Sequence, residues 1–425
     1  MVRALFILLL LLPAFYGWPQ PSDEAASEAP TYAYRGYDFI NYEANRLFLP
    51  KPGTLNHFFE KLARLENEKR GTVHILHIGD SHLQADYFSG EVRRLFHQDQ
   101  RFGNAGRGFI FPYSAAHTNN PEDYRTRYTG HWEGFRSVKR NTWSQWGLAG
   151  VTAVTHDPRA TITIQPRVFR GSFPSPIQEV KIFYPVFDER SFVPRLLTPS
   201  SNISRSQIHA DGYIAYKLRK PLWEITIGLQ RIAPSESRFT MQGIMLENGH
   251  PGVLYSVAGA NGAEVATYLR CRDLEKHVKA LAPDLVIVSL GTNDAYFAGF
   301  DDQAYKANYR LLLRQVRQAA PEADILLTTP SDNFRRRRYA NRNNDTARKR
   351  IMELAQEENL AVWDMYEVMG GYKSMLQWRY YGLAQRDRIH FTYEGYRLQG
   401  QLLFEAIDRA YREYWERTAS KRIEP

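Results

Sequence analysis

Four short polar segments flank apolar runs in this 425-residue chain. Gly79-Asp80-Ser81 follows Val73 to Ile78, and Asn261-Gly262 follows Tyr255 to Ala258. Gly291-Thr292-Asn293-Asp294 follows Leu285 to Leu290, and Asp387-Arg388-Ile389-His390 precedes a final amphipathic stretch. Between them they hold a hydroxyl, an imidazole, a carboxylate and several amide donors, which are the parts acyl transfer needs. Ser81, at a strand-to-helix turn, would be the nucleophile and aim its own backbone N–H at the carbonyl oxygen. His390 would take the hydroxyl proton, and Asp387, three residues earlier, would fix the ring and stabilise the imidazolium. Gly262, with no side chain, lets its N–H approach the substrate, and the Asn293 amide gives a third donor for the oxyanion. Asp80, His82 and Asp294 are candidates for supporting roles, as are Gln84 and Asp86. Each residue has a plainer use when taken singly: Ser81 or Asp80 caps a helix, Asn293-Asp294 makes a turn, and Asp387 with His390 forms a surface pair. Their conjunction at strand ends argues for chemistry, because open α/β sheets build sites beyond the carboxyl ends of their strands.

The elements that must position them follow from periodicity. Leu55, Phe58, Phe59, Leu62 and Leu65 recur at helical spacing, so 54–69 is expected to be a helix, followed by a strand over 73–78 and a second helix over 86–98. After 253 the alternation resumes, with strands at 285–290, 325–329 and 361–363 and helices at 304–319, 346–358 and 394–411. Strand followed by helix, repeated, implies a parallel sheet with helices on both faces. From about 120 to 250 the texture differs. Strand-like pieces such as 160–164, 180–184, 213–218, 223–229 and 239–246 alternate with Pro, Gly, Ser and Asn, which predicts an all-β sandwich inserted into the α/β domain. The division expected is 1–17 signal peptide, 18–53 N-terminal extension, 54–115 first part of the α/β domain, 116–250 β-sandwich and 251–425 second part.

Composition narrows the setting. One Arg precedes an apolar run from Ala4 to Ala14, too short for a membrane span, as in a signal peptide cleaved near Gly17. Phe15 makes a poor cleavage site, so an uncleaved anchor is the alternative; the mature chain is expected to have no integral span. Cys271 is the only cysteine, so no intramolecular disulfide can form, which suits a Gram-negative periplasm. The net charge of +9 has its densest cluster at Arg335 to Arg338, continued by Arg342, Arg348, Lys349 and Arg350. Export argues against nucleic acid; the cluster is a solvated face or an attraction for anionic envelope polymers. Gly103 to Gly108 lacks the Lys-Ser/Thr ending of a phosphate loop. No metal-ligand or cofactor motif is present, so neither is expected. Trp132, Trp143, Trp146 and Tyr213 could stack on sugars, with core packing the commoner use. His74 and His77 are expected to be structural.

The four segments, in this order, resemble the blocks of the SGNH (GDSL-like) hydrolase superfamily, with His82 standing where Leu is usual. The resemblance implies a flavodoxin-like three-layer α/β/α domain with a Ser81–His390–Asp387 triad. The strings 79–86 (G-D-S-H-L-Q-A-D), 102–109 (F-G-N-A-G-R-G-F) and 370–390 are most similar to Gram-negative peptidoglycan O-acetylesterases, which carry an inserted carbohydrate-binding-module-like β-sandwich. By that resemblance the partner is acetylated peptidoglycan or another envelope glycan and the product acetate. An envelope polysaccharide O-acetyltransferase and a non-catalytic glycan-binding protein are the alternatives.

Overall fold

Thr72 to Gly79 forms strand β1, buried from Val73 onward, as an apolar run covered on both faces should be. β2 (Gly252–Gly259) and β3 (Leu285–Ser289) pair parallel on its two sides. β4 (Asp324–Thr328) pairs parallel with β3, and β5 (Ala361–Trp363) with β4. Leu47–Phe48 closes the β5 edge antiparallel. The resulting order β2-β1-β3-β4-β5 is the flavodoxin-like one, whose ligand crevice opens beside the central strands. Gly259 and Ser289 both pair with Gly79, so three strand ends meet where the serine segment begins. A Cβ on Gly79 would lie 2.6 Å from Leu83 Cδ1 and 2.8 Å from Ser289 O, so only glycine fits there.

This structure is a computed structural model and describes residues 36–171 and 174–423. The leader and residues 18–35, half of the expected extension, therefore lie outside the described residues. Six longer helices cover the sheet: α1 (Asn56–Glu68), α2 (Tyr87–Gln98), α3 (Leu274–Leu281), α4 (Asp302–Ala319), α5 (Asn343–Glu358) and α6 (Tyr393–Ile423). α1 and α2 pack against α6 on one face, while α3, α4 and α5 pack in succession on the other. α1 buries the expected Phe58, Phe59, Leu62 and Leu65. The last helix runs 12 residues past its predicted end at 411, because Tyr414 continues the buried stripe, its ring centre 5.6 Å from that of Phe59 in a tilted pair, with no Gly or Pro to stop the helix. Among the described residues no helix is long and apolar enough to cross a membrane.

Between α2 and β2 the chain builds three antiparallel sheets. The five-stranded one includes Gly108–Ile110, paired with Ile244 to Leu246, so β-rich pairing reaches back before residue 116. The predicted 239–246 strand is two strands in different sheets, Phe239–Met241 and Gly243–Glu247. One hydrophobic core runs from Leu76 and Ile78 through Phe109 and Tyr113 to Trp132, Ile164 and Phe239. Trp132, Trp146 and Tyr213 are buried in it or beside it, whereas Trp143 is 61% exposed.

Candidate active site

Leaving β1, the chain turns sharply at Asp80. Its Oδ1 accepts the His82 N–H (3.0 Å) and its carbonyl accepts Leu83 and Gln84 N–H, capping the single turn Ser81–Gln84. This leaves Ser81 at the carboxyl edge of the sheet. Before α6, Arg388 takes a left-handed conformation (φ 60°) that reverses the loop. Asp387 Oδ1 accepts the Ile389 and His390 backbone N–H groups at 2.9 and 3.0 Å. Its Oδ2 lies 2.7 Å from His390 Nδ1, and His390 Nε2 lies 2.9 Å from Ser81 Oγ. The carboxylate can only accept, so Nδ1 carries the proton, Nε2 offers its lone pair, and the Ser81 hydroxyl donates to it.

The electrostatics match that proton arrangement. Burial works against the Asp387 charge, but the His390 hydrogen bond and the two backbone N–H groups outweigh it and hold the carboxyl at about 2. Burial also disfavours the His390 imidazolium, yet the hydrogen bond and charge of Asp387, with the charge of Asp80, raise its pKa above the ordinary histidine value. Burial lifts Asp80 to about 6 against the pull of the His82 N–H, His390 and Asn293. Asp294, also buried, rises to about 7 although it accepts the Val265 N–H (3.1 Å); Glu264 and Asp80 add to the rise. His82 donates to or accepts from Tyr396 Oη through Nδ1 (2.9 Å), and its ring centre lies 5.2 Å from that of His390. Burial, with the nearby His390, lowers His82 to about 3, and its Nε2 is buried without a partner.

The oxyanion candidates stand differently. Gly262 is exposed with φ +80°, and a Cβ there would meet open space, so its backbone conformation, not crowding, calls for glycine. Asn293 Nδ2 donates to Asp80 Oδ2 (3.1 Å) and to Ala263 O (3.0 Å). Both of its N–H groups are thus spent on joining the serine, glycine and G-T-N-D segments. Gln84 makes the other joint: its Oε1 accepts the Asn261 N–H (2.8 Å), while its Nε2 donates to Thr118 Oγ1, Asn119 O and Asn119 Oδ1. Asn119 Oδ1 also accepts from Asn261 Nδ2 (2.6 Å). Nothing in the sequence marks Asn119, because its partners lie 35 and 142 positions away. Asp86 belongs to a buried network with Arg93, Arg107 and Asp123, which accounts for the glycine-rich 103–108 loop as the carrier of Arg107. His74 and His77 are core hydrogen-bonders to Leu281 O and Ser256, and to Tyr255 and Ser289. A cleft opens beside Gly262, walled by Ser137, Val138 and Arg140 from the β-rich stretch and by Thr267 and Arg270 from the short helix and turn after the glycine segment.

Compared with known proteins, residues 230–398 match the GDSL-like Lipase/Acylhydrolase family, a span that holds Gly262, Asn293, Asp387 and His390 and leaves Ser81 outside. Among solved structures, a peptidoglycan O-acetylesterase superposes with a TM-score of 0.71 at 22% identity, covering 86% of this chain and 99% of that one. A lipase/acylhydrolase from Enterococcus faecalis is 25% identical over 37% of this chain and 76% of its own, with a TM-score of 0.31. A carbohydrate esterase family 3 protein from Talaromyces cellulolyticus is 16% identical over 37% and 72%, also at 0.31. None of the curated proteins matches.

Proposed function

We propose, from the premise that residues 230–398 match the GDSL-like Lipase/Acylhydrolase family, that this chain is an exported serine esterase that removes O-acetyl groups from cell-wall glycan, with peptidoglycan acetylated on muramic acid as the substrate. The observation that carries this reading is the chain of two hydrogen bonds, 2.9 and 2.7 Å, from Ser81 Oγ through His390 to Asp387. In the first half-reaction Ser81 Oγ bonds to the acetyl carbonyl carbon while its proton passes to His390 Nε2. The Ser81 and Gly262 N–H groups receive the oxyanion. Asn293 joins them by releasing Ala263 O and keeping its bond to Asp80. Collapse breaks the bond to the sugar oxygen, which takes the proton back from His390. In the second half-reaction His390 draws a proton from water, whose oxygen attacks the acetyl-Ser81 carbonyl. Acetate leaves and the serine hydroxyl is restored.

A periplasmic setting is supported by the leader-like residues 1–17 and by the single cysteine. A glycan substrate is supported by a fold shared, over 86% of the chain, with a peptidoglycan-acting esterase. The test is acetate release from acetylated peptidoglycan, combined with a serine-directed phosphonate and mass spectrometry. The adduct is expected on Ser81, and Ser81→Ala is expected to lose at least about 10³-fold in turnover. Full activity in that variant, or transfer of acetyl to a de-acetylated glycan without net release, overturns the proposal.

A further inference from the structure

Beyond the triad, the residues Arg335 to Arg338 occupy a place their backbone does not explain. Phe334–Arg335 and Tyr339–Ala340 form a two-stranded hairpin closed by the Arg338 N–H on Arg335 O (3.0 Å). Both central turn residues, Arg336 (φ 48°) and Arg337 (φ 61°), lie in the left-handed region. Asn-Gly would serve such a turn with less strain. What arginine adds is the guanidinium group. The hairpin is also tied to the catalytic segments: the Phe334 N–H donates to Arg388 O (2.9 Å), Arg388 lies over the Phe334 ring (5.2 Å), and the Arg336 N–H donates to Tyr296 Oη (3.0 Å) just past Asn293-Asp294.

Around this point the charge is one-sided. Arg336, Arg337, Arg338 and Arg342 are exposed, and Arg386 is exposed on the neighbouring loop. Among the described residues none of these five, nor Arg335 or Arg388, has a carboxylate within ion-pair distance, whereas Arg348 and Arg350 further along are paired. The Nε groups of Arg335 and Arg388 are buried with no acceptor. Exposed rings lie between the cations: Arg338 sits 5.9 Å from Tyr339, and Arg342 and Lys373 sit 5.0 and 5.4 Å from Tyr372. Arginine forks suit carboxylates, and tyrosine faces suit sugar rings.

We propose that the Arg336–Arg338 turn, with Arg342 and Arg386, is a docking rim for a carboxylate-bearing glycan strand, which it holds while an acetyl group on the same strand enters the site. The inference rests on the esterase reading for what the strand delivers, but binding can be measured without cleavage. The test compares the full-length protein with a variant combining Arg336→Asn, Arg337→Gly and Arg338→Gln, which removes the charges and eases the turn. A second variant, with lysine at all three positions, keeps the charge. Each is sedimented with insoluble peptidoglycan, untreated or with its carboxylates amidated, at low and high salt. The expected result is at least about tenfold weaker binding by the neutral variant, partial retention by the lysine variant, and loss of wild-type binding on amidation or in high salt. Turnover of 4-nitrophenyl acetate reads whether the triad is intact. Equal sedimentation of wild-type and neutral variant, indifference to amidation, or binding transferred to anionic phospholipid vesicles overturns the rim. Failure of the wild type to release acetate while these binding differences hold would overturn the esterase reading and leave the rim standing.

Discussion

The proton shared by Ser81 and His390 has one productive tautomer open to it, and Asp387 sets it. Its carboxylate holds Nδ1–H at 2.7 Å and is itself held by two backbone N–H groups. Because His390 must be neutral to accept the serine proton, and Asp387 raises its pKa above the usual 6.5, kcat/KM on a small acetyl ester is expected to climb with pH through an apparent value above 6.5 and then level off. Asp387→Asn takes away both the charge and the tautomer preference. It is expected to cost about 10⁴-fold in kcat and to move the acid limb of the profile to lower pH; an unmoved limb would separate Asp387 from His390. Ser81, Gly262 and Asn293 stand out in the sequence because each follows a buried apolar run, where the chain has only a few residues in which to turn, and Asp387 and His390 because they precede the last amphipathic helix. Asn293 was legible as a polar residue at a strand end, but not as the tie between Asp80 and Ala263, since which amide protons are spent depends on three segments meeting.

At the scale of elements, local order was legible and long-range pairing was not. β1 was visible as a short, mostly apolar run ending at Gly79, as a strand covered on both faces should be, and α1 by its 3.6-residue period. The β-rich stretch showed several of its strands but not their sheets: Phe239 to Leu246 reads as one run, yet Phe239–Met241 pairs with Val151–Thr155 while Gly243–Glu247 pairs with Ile177–Phe183. The joint beside the proposed oxyanion site is of the hidden kind. Gln84, on the turn that begins at Ser81, holds the Asn261 N–H next to Gly262 and is gripped by Asn119 of the β-rich stretch, so on the proposed reading it ties down the glycine segment that would meet the oxyanion. Gln84→Ala is expected to lower kcat by about 10- to 100-fold, since a displacement of about 1 Å at the oxyanion costs that much. KM for a small ester should change little, and phosphonate labelling of Ser81 should slow in parallel with kcat. A variant that loses thermal stability while retaining kcat would make Gln84 purely structural.

The whole molecule carries its charges in a way that ties stability to pH. Burial lowers His74 and His277 to about 4 and His77, His82 and His97 to about 3. The unfolded chain, with histidines near 6.5, therefore binds more protons below that pH, and stability drains away as pH falls from 6.5 toward 4. Asp80 and Asp332, raised to about 6, and Asp294, raised to about 7, act in the opposite sense over an overlapping range, as do the raised Asp324, Glu247 and His390: the folded state takes their protons first, so they favour folding as pH falls. The five histidines, each lowered from 6.5 to about 4 or about 3, together outweigh the raised groups and predict a net loss, read as a falling urea midpoint between pH 7 and 4; a flat or rising midpoint would contradict the buried, neutral histidines.

The same scale decides whether the β-rich stretch is an appendage. Between 116 and 250 lie Asp123, which balances buried Arg93 and Arg107 together with Asp86, Asn119, which grips Gln84, and Ile244 to Leu246, which pair with Gly108–Ile110. Phe109 in that strand donates its N–H to Ser256 Oγ of β2, which in turn meets His74 of β1. Removing 116–250 would leave two buried guanidinium groups sharing one carboxylate, and unpaired buried charge of that kind costs about 3–5 kcal/mol, a large part of a typical folding free energy of about 5–15 kcal/mol. The truncated chain is therefore expected to be insoluble or to lose activity on small and polymeric acetyl esters alike. The point change Asp123→Asn should lower unfolding stability by about 3 kcal/mol in urea titration. A soluble truncated protein that turns over 4-nitrophenyl acetate at the full-length rate would show instead that the α/β layers fold and assemble the site without these contacts.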